Sequence, residues 1–295
     1  LWIRSGRYRP KRSDQPARGY RLRRLHFSVR RMRTSRMHVR KDNSMNTHLI
    51  PRFRANAQIR SAANTAVTLI YPRRCPFCDE PVKPWNALVC AECRQKFSYI
   101  EMPYCLKCGK HISDSGREYC GDCAAHPHIY DSGRALFSYR GVSASVARFK
   151  YRGRREYAAY YAACIVEELG GFIRSCRAEA LIPVPLHKSR RRKRGYNQAQ
   201  VLAEELAALT GIPVRADLIE RVEKTAPMKD LSAVERQNNL KKAFKICCND
   251  VKLNIIMIID DIYTTGSTID AMSREFRKAG VERIYFVTLA IGRGI

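Results

Sequence analysis

The sequence has few acidic residues and no long apolar segment. Its 295 residues contain 27 Asp and Glu against 55 Lys and Arg, which gives a formal net charge of +28. No apolar run approaches the roughly 20 residues needed to cross a bilayer, and the first residues lack the apolar core of a secretory signal. We therefore expect neither membrane insertion nor export. A chain of this length can form one or two domains with a buried core.

The excess of positive charge is concentrated at the N-terminus. Residues 1–60 hold eighteen Lys or Arg and two Asp. Residues 1–58 have too few apolar side chains to offset the entropy of ordering, so we expect a disordered extension. Three origins fit its composition: a nucleic-acid-binding arm, a transit peptide, or a translated upstream sequence. Because the chain begins with Leu1, we favour the third and expect a native start near Met37 or Met45.

Eight of the twelve cysteines form four Cys-x-x-Cys pairs at a constant period of fifteen residues, within residues 59–128. Two such pairs supply the four sulfurs of a closed tetrahedral zinc site. An iron–sulfur cluster also takes four cysteines, but the spacing resembles zinc ribbons more. Paired thiols of this kind indicate a reducing compartment, so we expect a cytoplasmic protein. The sequence therefore predicts two structural zinc ions in a segment with little core of its own.

We favour pairing in sequence order over a cross-braced arrangement. The predicted zinc ligands are then Cys75, Cys78, Cys90 and Cys93 at one site, and Cys105, Cys108, Cys120 and Cys123 at the other. The remaining cysteines, Cys164, Cys176, Cys247 and Cys248, lack metal-ligand spacing and are expected to be core or half-buried residues. The nearby histidines, His111, His126 and His128, are expected at the surface or in turns, because the cysteines already complete two tetrahedra.

A continuous apolar run, Ile255–Ile259, predicts a strand buried on both faces. Asp260 and Asp261 follow where we expect the strand to end, and the hydroxyl-rich loop 264–268 precedes a helical pattern closed by Gly280. A loop at a helix N-terminus suits a phosphate. Neighbouring carboxylates can accept hydrogen bonds from ribose hydroxyls, directly or through Mg²⁺. The segment therefore predicts a sugar-phosphate site at the carboxyl end of a parallel strand.

This segment resembles the phosphoribosyl-pyrophosphate (PRPP) motif of type I phosphoribosyltransferases. No Gly-Lys-Thr follows it, which excludes a Walker A loop. The alternative is a helix cap beside a solvated acidic pair. The predicted PRPP-binding residues are Asp260, Asp261, Thr264, Thr265, Gly266, Ser267 and Thr268.

The pattern of residues 129–295 alternates strands and helices. We predict strands at 134–139, 180–185 and 281–291, a turn at Gly141, and helices at 142–149, 157–173 and 196–209, the second closed by Gly170-Gly171 or by the next turn. Residues 150–153 form a basic patch that suits a solvated helix end or an anion contact equally.

Three segments of this region could contact an anionic ligand. Two prolines after the strand at 180–185 fix a stiff loop where a pyrophosphate could lie, formed by Val184, Pro185, Leu186 and His187. The following basic residues suit a diphosphate or nucleic acid, or form a solvated loop: Lys188, Arg190, Arg191, Arg192, Lys193 and Arg194. Residues 221–240 are either a lid that closes over the ligand with Lys224, Lys229 and Arg236, or an exposed connection.

Together, the four Cys-x-x-Cys pairs and the segments PVPLHKSRRRKRGYNQ, KTAPMKDLSAVERQNNLKKAF and IIDDIYTTGST resemble the ComF family over about residues 60–295. The resemblance implies an α/β fold, a type I phosphoribosyltransferase-like parallel sheet with helices on both faces, preceded by a small double zinc ribbon with two four-cysteine sites. It also implies a role in DNA uptake during natural transformation, with PRPP and Mg²⁺ as ligands and with single-stranded DNA and the competence machinery as further partners. The flexible loop would include Lys224, Thr225, Arg236 and Asn239.

Two departures from the pattern bear on catalysis. Met228 stands where the family usually has Gln, and Thr264 stands where purine-salvage enzymes have a carboxylate base. The sequence singles out no catalytic residue and no nucleobase-recognition segment. Three functions fit: an active phosphoribosyltransferase, a DNA-handling protein, and a scaffold whose ribbon docks a partner protein. We favour a phosphoribosyltransferase-like domain that functions in DNA uptake, with turnover undecided.

Overall fold

The computed structural model describes residues 72–84, 87–94, 99–222, 243–247 and 251–292. All of them belong to one compact unit, Asn56–Ile295. The basic extension, Met228, Cys248 and the four flexible-loop residues, Lys224, Thr225, Arg236 and Asn239, lie outside the described residues. No helix in the described ranges is long and apolar enough to cross a bilayer.

Seven helices and six strands are named here in chain order. The helices are α1 (Ala91–Arg94), α2 (Gly121–Ala125), α3 (Tyr139–Tyr151), α4 (Tyr157–Cys176), α5 (Lys188–Arg194), α6 (Gln198–Thr210) and α7 (Ser267–Lys278). The strands are β1 (Ser132–Ser138), β2 (Ala180–Pro183), β3 (Ile219–Arg221), β4 (Phe244–Ile246), β5 (Ile255–Tyr263) and β6 (Arg283–Ile291).

Four parallel strands form the central sheet in the order β1-β6-β5-β2, and β3 pairs with β4 as a separate antiparallel ladder. Successive residues of β5 enter opposite layers, since Met257 and Ile259 pack with one core cluster while Ile256 and Ile258 pack with the other. A strand covered on both faces needs this continuous apolar sequence. Parallel pairing also brings the carboxyl ends of all four strands to one edge, where ligands bind in α/β sheets.

Helices cover both faces of the sheet, as predicted. One layer contains α3, α4 and α6, whose buried side chains include Phe149, Tyr161 and Leu202. The opposite layer contains α7 and the β3-β4 ladder, with Phe276 and Phe244 buried there. The α/β fold class is therefore confirmed, and the core lies on either side of β5 and β6.

The structure corrects several predicted boundaries. Gly141 does not turn the chain, because the turn occurs at Ser138, where extended backbone leads directly into α3. Of the two predicted ends for α4, Gly170-Gly171 is wrong; the helix continues to Cys176 and ends at Arg177 in the left-handed conformation. The β5 strand continues through the acidic pair to Tyr263, because its pairing with β6 extends that far.

The cysteine segment repeats one local structure. Cys75 N donates to Glu80 O at 2.8 Å, and Cys105 N donates to Lys110 O at 2.7 Å, two repeats later. Asp79 and Gly109, the residues after each second cysteine, both have positive φ. The same turn is therefore used at the first and third cysteine pairs, whereas Cys90 and Cys120 each precede a short helix. The structural repeat thus spans two cysteine pairs.

The two halves of the ribbon pack against different parts of the domain. In the first half, Asp79 accepts a hydrogen bond from the Tyr157 hydroxyl at 2.6 Å and pairs with Arg154 at 3.0 Å. In the second half, a Cβ at Gly109 would lie 2.9 Å from the carbonyl oxygen of Gly133, so β1 passes too closely for a side chain. Gly133 N also donates to Lys107 O at 2.8 Å.

Candidate functional site

The candidate site lies at the carboxyl end of β5, where the strand turns into α7. Gly266 takes φ +78° at this turn, a conformation that favours glycine. The α7 helix begins at Ser267, inside the predicted phosphate loop, and Thr265 Oγ1 lies 2.8 Å from Ser267 Oγ. The first N–H groups of a helix have no partner within it, and they carry the positive end of its dipole. The turn therefore has the chemistry of an anion site.

A small pocket joins this turn to Asp260, the first residue of the acidic pair. Its lining residues are Asp260, Ile262, Tyr263, Thr264, Thr265, Gly266, Ser267, Thr268 and Ile269. The structure thus brings Asp260 and the whole predicted loop together. An acid and an anion-binding turn in one pocket suit a ligand that carries both hydroxyls and a phosphate.

The two acids have different surroundings. Asp261 is buried and its Oδ1 lies 2.8 Å from Lys150 Nζ, whereas Asp260 lines the pocket. Burial, followed by the charge of Asp261, raises the pKa of Asp260 to about 7, against the opposing effects of Lys150 and Arg221. Burial and the neighbouring negative charge therefore favour the protonated form of Asp260. Asp261 N donates to Asp260 Oδ1 at 2.8 Å, which fixes the orientation of that carboxyl group.

The predicted pyrophosphate loop lies beside the acidic pair. Val184 N donates to Ile259 O at 2.9 Å, directly before Asp260, and Asn197 Nδ2 donates to Val184 O at 3.0 Å. His187 then caps α5, because its Nδ1 accepts a hydrogen bond from Ser189 N at 3.2 Å. The loop of Val184, Pro185, Leu186 and His187 therefore occupies the edge of the sheet next to β5.

The basic segment after this loop is a helix, α5, where the sequence suggests a loop. His187 caps its start, and Gly195 ends it with φ +78°. None of its residues is buried. Of the six predicted basic residues, Lys188, Arg191, Arg192 and Lys193 are exposed, and Arg190 and Arg194 are half-buried. The Arg194 guanidinium lies 4.8 Å from the ring centre of Tyr151, which is 67% exposed.

The cysteines come together in sequence order. Cys75, Cys78, Cys90 and Cys93 form one tetrad, and Cys105, Cys108, Cys120 and Cys123 form the other, with all sulfurs of a tetrad within 4.8 Å of one another. Neighbouring sulfurs lie 3.6–3.8 Å apart. Four sulfurs at about 2.3 Å from a central zinc ion would be roughly 3.8 Å apart, whereas a disulfide requires about 2.05 Å. Both tetrads therefore fit a tetrahedral zinc ion.

Two domain models match this chain. A double zinc ribbon domain matches residues 66–124, and a phosphoribosyl transferase domain matches residues 193–294. Competence protein F from Haemophilus influenzae is 31% identical over 208 residues, which are 68% of this chain and 90% of that protein. The chain belongs to the ComF family. The resemblance drawn from the sequence motifs is therefore confirmed.

Other relatives of this ComF-family chain have similar coverage. DNA utilization protein YhgH from Salmonella typhimurium is 29% identical over 73% of this chain and 96% of that protein. Competence protein ComFC from Bacillus subtilis is 29% identical over 72% of this chain and 92% of that protein. Shares of this size require the matched region to include residues of both the ribbon and the phosphoribosyltransferase-like domain.

Sequence reasoning missed or left open three residues at the site of this ComF-family chain. The sequence favours solvent and an anion equally for Lys150, yet this residue pairs with Asp261. It places Arg221 only at the edge of a lid, yet Arg221 is buried against the Phe244 ring. Burial, followed by the charge of Arg190, lowers the pKa of Arg221 to about 10, and Asp260 opposes this shift. Arg221 remains a cation at neutral pH.

The third missed residue is His128, which the sequence predicts at the surface or in a turn. Its side chain is only 6% exposed, its Nδ1 lies 2.7 Å from Asp270 Oδ2, and its ring stacks on Tyr130. The physical reason is a contact made across 142 residues of sequence, which no local pattern indicates. Among the other cysteines, Cys164 and Cys176 are buried as expected, but Cys247 is exposed because it follows the end of the short strand β4.

A groove separates the ribbon from the carboxyl ends of β1 and β6. Its volume is about 720 Å³, and its lining includes Tyr99, Ile100, Lys110, His111, Asp122 and Ile291. Gly292, at one end of the groove, donates its N–H to Tyr263 O at 2.8 Å, directly before Thr264. The groove is therefore next to the predicted phosphate loop, and its volume is in the range of small-molecule sites.

Proposed function

We propose that this protein binds PRPP, or a closely related phosphoribosyl ligand, together with Mg²⁺, and that it acts in DNA uptake. The observation that carries the proposal is the single pocket shared by Asp260 and the loop 264–268. The turn would hold the 5′-phosphate, and Asp260 would accept hydrogen bonds from ribose hydroxyls. The loop 184–187 would hold the pyrophosphate. The names of the relatives, competence protein and DNA utilization protein, support the biological role.

The two residues of the acidic pair would have different roles. Asp260 faces the ligand pocket, while the Lys150–Asp261 pair supplies a fixed neighbouring cation and anion. Both carboxylates are hard oxygen donors of the kind that Mg²⁺ prefers, often through water. Lys150 and Arg221 place positive charge beside the acids, which favours a ligand with several phosphates.

A transfer reaction would depend on positioning and on stabilising the departing pyrophosphate, not on a nucleophilic side chain. Thr264 provides no carboxylate base, so an acceptor would have to be nucleophilic without one. The groove beside Thr264 is the space in which such an acceptor could reach the ribose. We propose this groove as the acceptor site of the enzyme, if PRPP turnover is observed with added acceptors.

Two tetrahedral zinc ions would hold the ribbon. With four thiolates each they have no open position, so their role is structural. Burial raises the pKa of the Cys75 thiol, but hydrogen bonds from the backbone N–H groups of Cys78, Cys90 and Phe77 outweigh burial and lower this pKa. A lowered thiol pKa favours the thiolate form that binds a metal.

Calorimetric titration of the full chain with PRPP and Mg²⁺ tests the ligand. We expect saturable binding that is abolished in the Asp260→Asn/Asp261→Asn double variant. The matched control is Asp217→Asn, which removes an exposed acid that pairs locally with Arg215. Absence of binding by the wild-type chain at millimolar PRPP would show that the pocket has another role. If PRPP binds, release of pyrophosphate on addition of candidate bases shows whether the protein catalyses the transfer reaction.

A second function is favoured by the surface of α5. The helix carries four exposed basic residues, and its last residue, Arg194, places its guanidinium 4.8 Å from the ring centre of the exposed Tyr151. Basic grooves with exposed aromatic rings bind single-stranded nucleic acid through phosphate contacts and base stacking. We propose that single-stranded DNA contacts this surface, as the DNA-related names of the relatives also suggest.

Fluorescence anisotropy with a labelled single strand tests this surface. Replacing Lys188, Arg191, Arg192 and Lys193 with Gln should weaken binding. The slope of log affinity against log salt should become shallower by about 0.7 for each phosphate that the variant no longer neutralises. Arg117→Gln is the control, because it removes an exposed cation on the ribbon. Equal affinity and equal salt dependence of the wild type and the quadruple variant would contradict the proposal.

A further inference from the structure

The segment between the second cysteine tetrad and β1 lies directly under the phosphate loop. It includes His128, Ile129 and Tyr130, and it follows Cys123, the last cysteine of that tetrad. Tyr130 is fully buried. This segment therefore runs from the second metal tetrad to the residues that contact the candidate ligand site.

His128 and its neighbour hold the first turn of α7. Asp270 lies in that turn, and both of its oxygens are used: Oδ2 is 2.7 Å from His128 Nδ1, and Oδ1 accepts from Ile129 N at 2.8 Å. Asp270 N donates to Gly266 O at 2.8 Å. The carboxylate of Asp270 thus connects the ribbon segment to the residue that forms the phosphate turn.

Gly266 also packs on this segment directly. A Cβ at position 266 would lie 2.6 Å from the Tyr263 hydroxyl and 3.0 Å from His128 Cε1. The Tyr263 hydroxyl is itself 2.7 Å from the Tyr130 hydroxyl, and both groups are buried. Burial raises the pKa of each tyrosine, so the two hydroxyls stay neutral and share one hydrogen bond. His128 and Tyr263 therefore pack directly against Gly266 in the turn.

Tyr130 is held in turn by the second tetrad. Lys107 lies between Cys105 and Cys108, its Nζ donates to Tyr130 O, and it stands 5.2 Å from the centre of the Tyr130 ring. Lys107 O accepts from Gly133 N. Two contacts, Lys107 to Tyr130 and Tyr130 to Tyr263, therefore connect the cysteine turn with the loop. The first tetrad instead contacts α3 and α4 through Asp79 and Pro76.

We propose that the second metal tetrad and the phosphate loop form one coupled unit, in which His128 and Tyr130 are positioning residues for the ligand turn. Metal binding at Cys105, Cys108, Cys120 and Cys123 and phosphate binding at 264–268 then favour each other, because each orders the segment that the other contacts. The proposal rests on the proposed function for the identity of the ligand only. It assigns a regulatory role to a site whose zinc is otherwise structural.

The first test follows cysteine reactivity at each tetrad in the zinc-loaded full chain. N-ethylmaleimide labelling, read by peptide mass spectrometry, should slow at the second tetrad by about five- to tenfold when saturating PRPP and Mg²⁺ are present. Labelling of the first tetrad should change much less. Equal protection of both tetrads, or none at either while PRPP binds, would overturn the proposal.

The second test uses variants that keep both tetrads intact. His128→Ala and His128→Gln should weaken PRPP binding about five- to tenfold, while zinc content remains at the wild-type level. His128→Asn should restore most of the affinity, because its amide nitrogen can take the place of Nδ1 and donate to Asp270. His126→Ala is the control, since His126 is exposed. Failure of His128→Asn to exceed His128→Ala would overturn the positioning role.

A third experiment tests the coupling independently of PRPP binding. Hydrogen exchange of residues 263–272 is measured without any ligand, in zinc-loaded protein and after partial chelation that removes zinc from the second tetrad, as judged by maleimide labelling. Faster exchange after zinc removal supports the coupling even if PRPP does not bind. Unchanged exchange overturns the coupling even if PRPP binds tightly.

Discussion

Lys150 Nζ lies 2.8 Å from Asp261 Oδ1, and the two side chains are only 16% and 13% exposed. This pair joins the end of α3 to the end of β5 at the edge of the sheet where the ligand pocket lies. Charged groups buried to this degree need a partner, because the cost of removing each from water is large. The pair therefore helps to fix the acidic motif in place.

The Lys150–Asp261 pair predicts strong coupling between two substitutions. Lys150→Met should lower the free energy of unfolding by about 3 kcal/mol, because it leaves Asp261 buried and unpaired. The double variant Lys150→Met/Asp261→Asn should recover most of this stability. Urea denaturation of the wild type, both single variants and the double variant measures the coupling. Additive effects of the two single substitutions would contradict the prediction.

The raised pKa of Asp260 predicts that stability falls as pH rises. The folded-state pKa is about 7 against an ordinary value of 3.8, so the folded protein binds the proton more tightly than the unfolded chain. The stabilisation from the protonated form is complete below pH 3.8 and disappears as pH rises through 7. Asp260→Asn should therefore raise Tm by several degrees at about pH 8 and leave it nearly unchanged at about pH 4. A constant difference across this range would contradict the assignment.

The same group predicts a pH dependence of ligand binding. Only the ionised carboxylate is a strong acceptor for ribose hydroxyls and a ligand for Mg²⁺. PRPP affinity in the wild type should therefore increase between about pH 6 and about pH 8. Asp260→Asn should bind more weakly and lack this part of the dependence. The ionisation of PRPP itself is common to both proteins, so the difference between their calorimetric profiles isolates Asp260.

Replacing Gly266 with alanine should weaken PRPP binding by more than backbone strain alone would. Gly266→Ala would place a non-glycine residue at φ +78° and a Cβ 2.6 Å from the Tyr263 hydroxyl. We expect PRPP affinity to fall by about tenfold or more. Gly153→Ala is the matched control, because Gly153 has φ +68° but no atoms near its Cβ position. It should cost about 1–2 kcal/mol of stability from backbone strain and leave affinity unchanged.

The cysteine tetrads predict a stoichiometry of two zinc ions per chain. Cys123→Ser should reduce the zinc content to one, and full chelation should unfold the ribbon, seen as faster proteolysis at residues 72–125. Cys164→Ser is the control, because Cys164 is buried in α4 outside both tetrads. Zinc content by mass spectrometry under native conditions gives the result. Two zinc ions retained by Cys123→Ser would show that this cysteine is dispensable.

Much of the fold can be predicted because its signals are local. The run 255–259 indicates a fully buried strand, and the cysteine period indicates a repeated turn; both are visible in short windows. The order of strand, turn and helix over residues 255–278 is predictable for the same reason, since all three follow one another within one segment. Boundaries are less predictable: the acids of β5 stay in the strand because pairing with β6 continues past them.

The contacts around the site are not predictable from sequence, because they depend on tertiary packing. Lys150 ends a helix whose own pattern favours solvent and anion equally, and only the placement of α3 brings it to Asp261. His128 follows the last cysteine pair and reaches Asp270 across 142 residues. Its one available signal is the short distance in sequence between Cys123 and β1, which limits where the intervening residues can lie.

The hydrogen bond from Val184 N to Ile259 O directly follows the last paired residues of β2 and β5, Pro183 and Ile259. The proposed pyrophosphate loop therefore leaves β2 opposite Ile259, whereas the proposed 5′-phosphate loop leaves β5 after Tyr263, further along the strand. That length of strand separates the starts of the two loops by about 13 Å along the sheet. Their distance is a property of the backbone ladder and does not depend on the side chains of either loop. Loop substitutions can thus alter how tightly a ligand is bound while the span between its two anionic groups stays the same.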